Sequence, residues 1–179
     1  MPATKDEIAT AFMELAFHFG YRRTAVEDVA RELHISKKTV YEHFASKDDL
    51  LRYALELSAR RQRARVESML TETTALGRIQ QVVGIALADA RAFYEAQPHG
   101  EMTEPPELQA QVNELVFTPM VHDLLAEGVE AGEFSVPDPD TIAAFTVAMG
   151  MEAVRMIRDD PACHPEELLF ESVRRLIDG

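Results

Sequence analysis

Six side chains able to meet a nucleic acid crowd into the seven residues Lys37-Lys38-Thr39-Val40-Tyr41-Glu42-His43. Ammonium groups, a phenol and an imidazole can donate to phosphate oxygens, while lysine, threonine and glutamate can address the donor and acceptor edges of bases. If the stretch is helical and Val40 marks its buried direction, a pitch of about 100° per residue sets Lys38 and Glu42 nearly opposite Val40, with Thr39 beside them. These three then look into a groove. Lys37, Tyr41 and His43 fall on the flanks, where phosphate oxygens would run.

The flanking sequence supplies the elements such a helix needs. Thr24-x-x-Glu27 reads as a capping box, in which hydroxyl and carboxylate satisfy free amides at a helix start. Val26, Val29, Ala30 and Leu33 recur at helical spacing and give that helix one buried stripe. His34-Ile35 makes a turn, Ser36 is the next N-cap, and Val40 and Phe44 form the inward face of a second short helix. Ser46-x-x-Asp49 starts a third. Two short helices joined by so short a turn, from about Ala25 to Phe44, match a helix-turn-helix motif, whose second helix enters the major groove of double-stranded DNA. Ahead of it, Ile8, Phe12, Leu15 and Phe19 line one face of a helix that Gly20 stops, roofing a three-helix head.

Charge fits a local electrostatic footprint. The 179 residues carry a net charge of −13, but residues 1–65 hold 12 Lys and Arg against 10 Asp and Glu, and residues 66–179 hold 6 against 21. A slightly basic head on an acidic body attracts nucleic acid at one end and repels it elsewhere. The start of the chain is polar and resembles no secretory signal, and the longest nearly apolar run, Ile142 to Met151, is too short for a bilayer. No membrane association is expected. A single cysteine, Cys163, excludes an internal disulfide framework and fits a reducing cytoplasm.

Everything after the head also reads helical, so the fold class is all-α, with a head at 1–48 and a larger helical body at 49–179. The helix begun at Ser46 runs without a breaker to about Thr71, long enough to couple movements of head and body. Further helices are expected from Leu76 to Ala96, from Pro105-Pro106 to Gly132 with Pro119 either kinking or dividing it, from Asp138 through the apolar IAAFTVAMGMEAV, and after Pro165. The apolar segment needs cover on more than one side. It can be buried inside its own chain or on a second copy; the habit of helix-turn-helix proteins of binding paired half-sites favours the second. Ala144, Val147, Ala148 and Met151, with Leu169, Val173 and Leu176 of the last helix, are the expected dimer face. Phe93, Met102, Phe117, Met120, His122, Phe145 and Met149 are the larger groups available to line a ligand pocket, where flexible thioethers suit varied guests. His99, His122 and Cys163-His164 lack zinc spacing, so no metal site is expected, and no cofactor fingerprint or enzyme motif is present.

Taken together, Thr24-Ala25-Val26-Glu27-Asp28-Val29-Ala30, Ile35-Ser36-Lys37-Lys38-Thr39-Val40-Tyr41-Glu42-His43-Phe44 and Ser46-Lys47-Asp48-Asp49-Leu50 closely resemble the head of TetR-family transcriptional regulators. The resemblance covers about residues 5–55; beyond them only the helical layout and length are similar. It implies a homodimer, usually a repressor, whose body binds a small-molecule effector and thereby changes the separation of its two heads. It also implies that Tyr41, His43 and Lys47 grip the DNA backbone, and Thr24, near a helix start, is a further candidate for a phosphate. Two departures stand out: His34 where glycine is frequent in the turn, and Glu42, a carboxylate on the recognition helix. Two other functions stay open at this level, a DNA-binding adaptor answering to a protein partner and, more remotely, an enzyme whose site is assembled from separate helices.

Overall fold

The computed structural model describes residues 3–96 and 106–178. Among them it contains eight helices and no strand: α1 Lys5–Phe19, α2 Val26–Glu32, α3 Lys37–His43, α4 Lys47–Met69, α5 Ala75–Ala96, α6 Pro106–Ala131, α7 Pro139–Asp159 and α8 Glu166–Asp178. They fall into two compact units, one of residues 3–62 with 106–115, the other of residues 63–96 with 116–178.

In the first unit, α1 opens with a capping box that the sequence reading missed: Thr4 Oγ1 accepts from the Glu7 amide at 3.2 Å, and Glu7 accepts from the Thr4 amide at 2.7 Å. Its buried face is Ile8, Ala9, Phe12, Met13 and Ala16; Leu15 is half-buried and Phe19 exposed, so the stripe is rotated from the one expected. Gly20 ends the helix at φ 87°, ψ 141°, a backbone that side chains with a Cβ rarely adopt. Its carbonyl then gathers the amides of Arg23 and Thr24, each at 3.1 Å, and the Thr24 hydroxyl at 3.0 Å.

That arrangement corrects the expected Thr24-x-x-Glu27 box. Thr24 is buried with its hydroxyl turned back to Gly20, so the N-cap of α2 is Ala25, whose amide donates to Asp28 at 2.9 Å. Glu27 is left facing outward. The C-terminus of α2 closes as a Schellman motif: Ile35 N–H donates to Ala30 O at 2.9 Å and His34 N–H to Arg31 O at 3.2 Å. His34 occupies the left-handed position at φ 53°, the conformation its place in the turn demands. Ser36 caps α3 by accepting from the Thr39 amide at 3.0 Å, and Ser46 caps α4 by accepting from Asp49 at 3.1 Å. Val40 and Phe44 are buried behind α3, with the Tyr53 ring edge-on to Phe44 at 5.5 Å.

In the second unit, α5 packs against α7 and α8, and α7 against α8. The core takes Ile79, Val82 and Leu87 from α5, Val116, Met120, Val121 and Leu125 from α6, Ile142, Ala143 and Ile157 from α7, and Leu169, Val173 and Ile177 from α8. Pro119 lies within α6 without dividing it, and α6 ends in a second Schellman motif with Gly132 at φ 71°. Asp138 caps α7 by accepting from the Thr141 amide at 3.2 Å, with Pro139 in the first turn, where its missing donor costs nothing. Arg91 of α5 donates to Cys163 O at 2.9 Å and pairs with Glu166, fastening the loop between α7 and α8. None of the described helices is long and apolar enough to cross a membrane.

Candidate nucleic-acid interface

The second helix of the motif presents the face that its sequence requires. On α3, Lys38 is 86% and Glu42 58% exposed in their side chains, one turn apart, with Nζ and Oε1 separated by 3.8 Å. Val40 lies on the opposite side, in the core. Tyr41 and His43 are exposed beside them. Lys37 is drawn toward α2, where its ammonium pairs with Glu27 and lies 5.7 Å from the Tyr41 ring centre. The bond to Lys37 holds the Glu27 carboxyl below the usual carboxylate range, and the same bond raises Lys37.

Three of the expected contact residues are placed differently from a plain outward face. Thr39 is half-buried and its hydroxyl shares a 2.9 Å hydrogen bond with Ser36, so it belongs to the cap of α3 as well as to its surface. Lys47 donates to the Tyr21 carbonyl at 2.6 Å and stands 4.2 Å from the Tyr21 ring centre, which fixes the loop after α1 to the start of α4. The Tyr21 hydroxyl donates to Asp48, and that hydrogen bond pushes its own pKa up. Thr24 drops out as a phosphate donor: it is buried, and both its hydroxyl and its amide already donate to Gly20. Sequence reasoning also passed over Arg22 and Arg23, exposed cations in the loop beside Tyr21. Their signal was a doubled arginine just before the motif.

The residues singled out as a ligand pocket do not all converge. Phe117 and Met120 are buried, and Phe93 and Met149 are half-buried. Met102 lies outside the described residues. His122 sits at the surface with Nε2 3.4 Å from Asp140 and Nδ1 3.4 Å from Asp123, and Phe145 is 54% exposed, so neither enters the interior of this chain. A groove on the head lined by Asp6, Glu7, Thr10, Glu14, Leu33 and Arg61 is edged with charge and is not the apolar cavity expected of a sensor. No cluster of three or more His, Cys, Asp or Glu among the described residues could hold a metal ion.

Thr146 was overlooked, though it is the only hydroxyl in the apolar run of α7. It is fully buried, and its Oγ1 has no hydrogen-bond partner among the described residues. Burying an unmatched hydroxyl costs about 1–3 kcal/mol. Thr146→Val, which keeps the shape and deletes the polar atom, will therefore raise the stability of the free chain by about 1 kcal/mol. Denaturation midpoints of the two proteins measure this; a lower midpoint for Thr146→Val would mean the hydroxyl is bonded after all.

The expected dimer face is also redrawn. Ala144 and Ala148 are exposed and Val147 and Met151 half-buried, whereas Leu169 and Val173 are buried within the chain's own core and Leu176 is half-buried. The apolar groups that α7 and α8 leave open are Ala144, Phe145, Ala148, Met156 and Leu168, the last 74% exposed. On α8 the open face is thus one residue, about 100°, from the one read in the sequence.

The eight helices of the described residues, with a helix-turn-helix arrangement in α2 and α3, define an all-α fold. Residues 8–54 match the family model of bacterial regulatory proteins of the tetR family. Near its full length the fold is similar to a protein from Shewanella sp. PV-4 assigned to the tetR family of transcription regulators, with TM-score 0.69 and 18% identity, covering 99% of this chain and 100% of that one. It is similar also to Escherichia coli NemR in its reduced form, with TM-score 0.68 and 16% identity over 98% and 97% of the two chains. A third likeness is Bacillus subtilis FadR in complex with stearoyl-CoA, with TM-score 0.62, 19% identity and 97% of each chain. No curated protein matches the chain in sequence. The tetR-family match is carried by the head, and over the rest of the chain the likeness to these proteins is one of fold.

Proposed function

We propose that this protein is a cytoplasmic homodimeric repressor that binds a palindromic operator through residues 1–48 and leaves it when a small molecule enters residues 49–179. The observation that carries this reading is α3 itself. It keeps Lys38 and Glu42 exposed on one side and Val40 locked in the core on the other, the division of labour a groove-reading helix needs. Release by a ligand is supported by the buried thioether and aromatic groups of α6 and by the orphan hydroxyl of Thr146, which a guest could satisfy. FadR of the same fold carries stearoyl-CoA, so a largely apolar effector with a polar handle is the class to try first. Self-association through the open faces of α7 and α8 supplies the two heads. The regulator acts without catalysis of its own.

Selection of bound duplexes from a random pool tests the reading directly. A single palindromic consensus is expected, and a flat outcome across sequences would reject it. Two variants then divide the contacts. Lys47→Ala will weaken binding to the selected duplex and to random duplex alike, with a shallower dependence on salt, because it removes a phosphate contact. Lys38→Ala will instead relax preference at one base pair, by about 1–3 kcal/mol. Equal losses on every sequence for Lys38→Ala would remove it from the base readers. Adding stearoyl-CoA and shorter acyl-CoA thioesters to the selected complex tests the effector class.

A further inference from the structure

The two lysines at the start of α3 each have a carboxylate beside them, Lys37 hydrogen-bonded to Glu27 from the helix before and Lys38 within 3.8 Å of Glu42 one turn on. This is a poor arrangement for holding any phosphate backbone, since each pair is close to neutral and Glu42 itself repels phosphate. It suits discrimination instead. We propose that Lys38 and Glu42 together read a G·C base pair in the major groove, Lys38 donating to guanine and Glu42 accepting from the cytosine amino group. The inference rests on the DNA-binding reading of α3 and adds the chemistry of what it recognises.

A carboxylate can only accept, and an ammonium can only donate. In the major groove the base donors are the cytosine N4 and adenine N6 amino groups. Adenine N6 lies between two acceptors, its own N7 and the O4 of the paired thymine, and both would face a carboxylate with lone pairs. Cytosine N4 lies at the end of the G·C pattern, with guanine O6 and N7 all on one side of it. A donor and an acceptor 3.8 Å apart on one outward face therefore complement the acceptor-then-donor edge of G·C, the lysine going to O6 and N7 and the glutamate to N4. In the free protein the two exposed charges lie 3.8 Å apart, close enough to attract but too far to hydrogen-bond, and on G·C each gains a base partner. On an A·T pair the one donor, adenine N6, comes flanked by two acceptors whose lone pairs oppose the carboxylate, and a desolvated, poorly matched carboxylate is costly. Glu42 thus acts chiefly by rejecting wrong sites, which makes it the specificity-determining residue of α3.

The test compares duplex selection by the wild-type chain, Glu42→Gln and Glu42→Ala. Glu42 is exposed, so both variants keep the fold, which circular dichroism and the denaturation midpoint verify. The wild type is expected to demand G·C at one position of each half-site, by about tenfold or more over other pairs. Glutamine, which can both donate and accept, will move that position toward A·T through adenine N6 and N7. Alanine will leave the position unread. Both variants will bind random duplex more tightly than wild type and with a steeper salt dependence, because Lys38 is released and a negative charge is lost. If the wild type selects a site but Glu42→Gln and Glu42→Ala return the same base preferences, the G·C assignment is overturned while the regulator reading stands. If the wild type selects nothing, both fall together.

Discussion

Phe44→Ala will cost the protein about 3–5 kcal/mol and abolish binding to every duplex, specific or random. Phe44 ends α3 as its C-cap, with its amide donating to Val40 O at 3.1 Å, and its side chain is only 2% exposed. The Tyr53 ring meets it edge-on and the Lys5 ammonium lies 5.0 Å from its centre, so α1, α3 and α4 all rest on this one ring. Alanine leaves a cavity that the helices around it, with α3 only two turns long, cannot close. Small units have little stability to spare, commonly about 5–15 kcal/mol for a whole domain. The loss should therefore appear as a lowered denaturation midpoint and as a head that opens before the rest of the chain. Lys38→Ala provides the contrast, since an exposed side chain changes base preference and leaves the midpoint within about 0.5 kcal/mol. An unaltered midpoint for Phe44→Ala would mean that α3 is not anchored through this residue.

Features decided by a few neighbouring residues could be read from the sequence alone. Ser36, Ser46 and Asp138 cap helices because a short oxygen-bearing side chain sits just before each apolar periodic run, and the structure has all three in that role. Gly20 and Gly132 stop helices with positive φ, and His34 adopts the left-handed turn although it is not glycine. Val40 and Phe44 were fixed by their spacing against six polar neighbours. What escaped depended on contacts distant in sequence. Thr24 and Ala25 head overlapping cap patterns, with Glu27 and Asp28 as their respective acids, and the choice fell to Ala25 because Thr24 is buried against Gly20. The Lys37–Glu27 pair joins residues ten apart across the turn, so no helix-face argument could place it. The phase of α8 was ambiguous because Leu168 and Leu169 are adjacent and equally apolar; only packing against α5 and α7 decides which one turns inward. Phe145 misled for a related reason. A large aromatic in an apolar run reads as a pocket-lining group until packing shows which side of its helix is left open.

Phe145→Glu will convert the protein from dimer to monomer and weaken operator binding by a factor of about 10²–10⁴. The residue is 54% exposed, with exposed Ala148 and Ala144 to one side of it on α7, while Ala143 and Ile157, turned away from it, are committed to the core. Two alanines beside one large ring let a second helix approach closely and give the ring a place to insert, and Leu168 supplies more apolar area on α8. A glutamate brought to the centre of a two-fold contact faces its own copy, so each interface would hold two like charges at close quarters. Folding is spared because the substituted side chain takes no part in the chain's own core. The loss on DNA follows from linkage: once one head is bound, the second binds at an effective concentration set by the tether, and a monomer forfeits that gain although its contacts to a half-site are intact. Sedimentation velocity will report the change of state, and titration against whole and half operators will report affinity. The half-site affinity should equal that of wild type, which separates this variant from Phe44→Ala, where both are lost. Leu168→Glu, at the more exposed position, should act in the same direction. Wild-type dimers persisting in both variants would place the self-association surface elsewhere on the molecule.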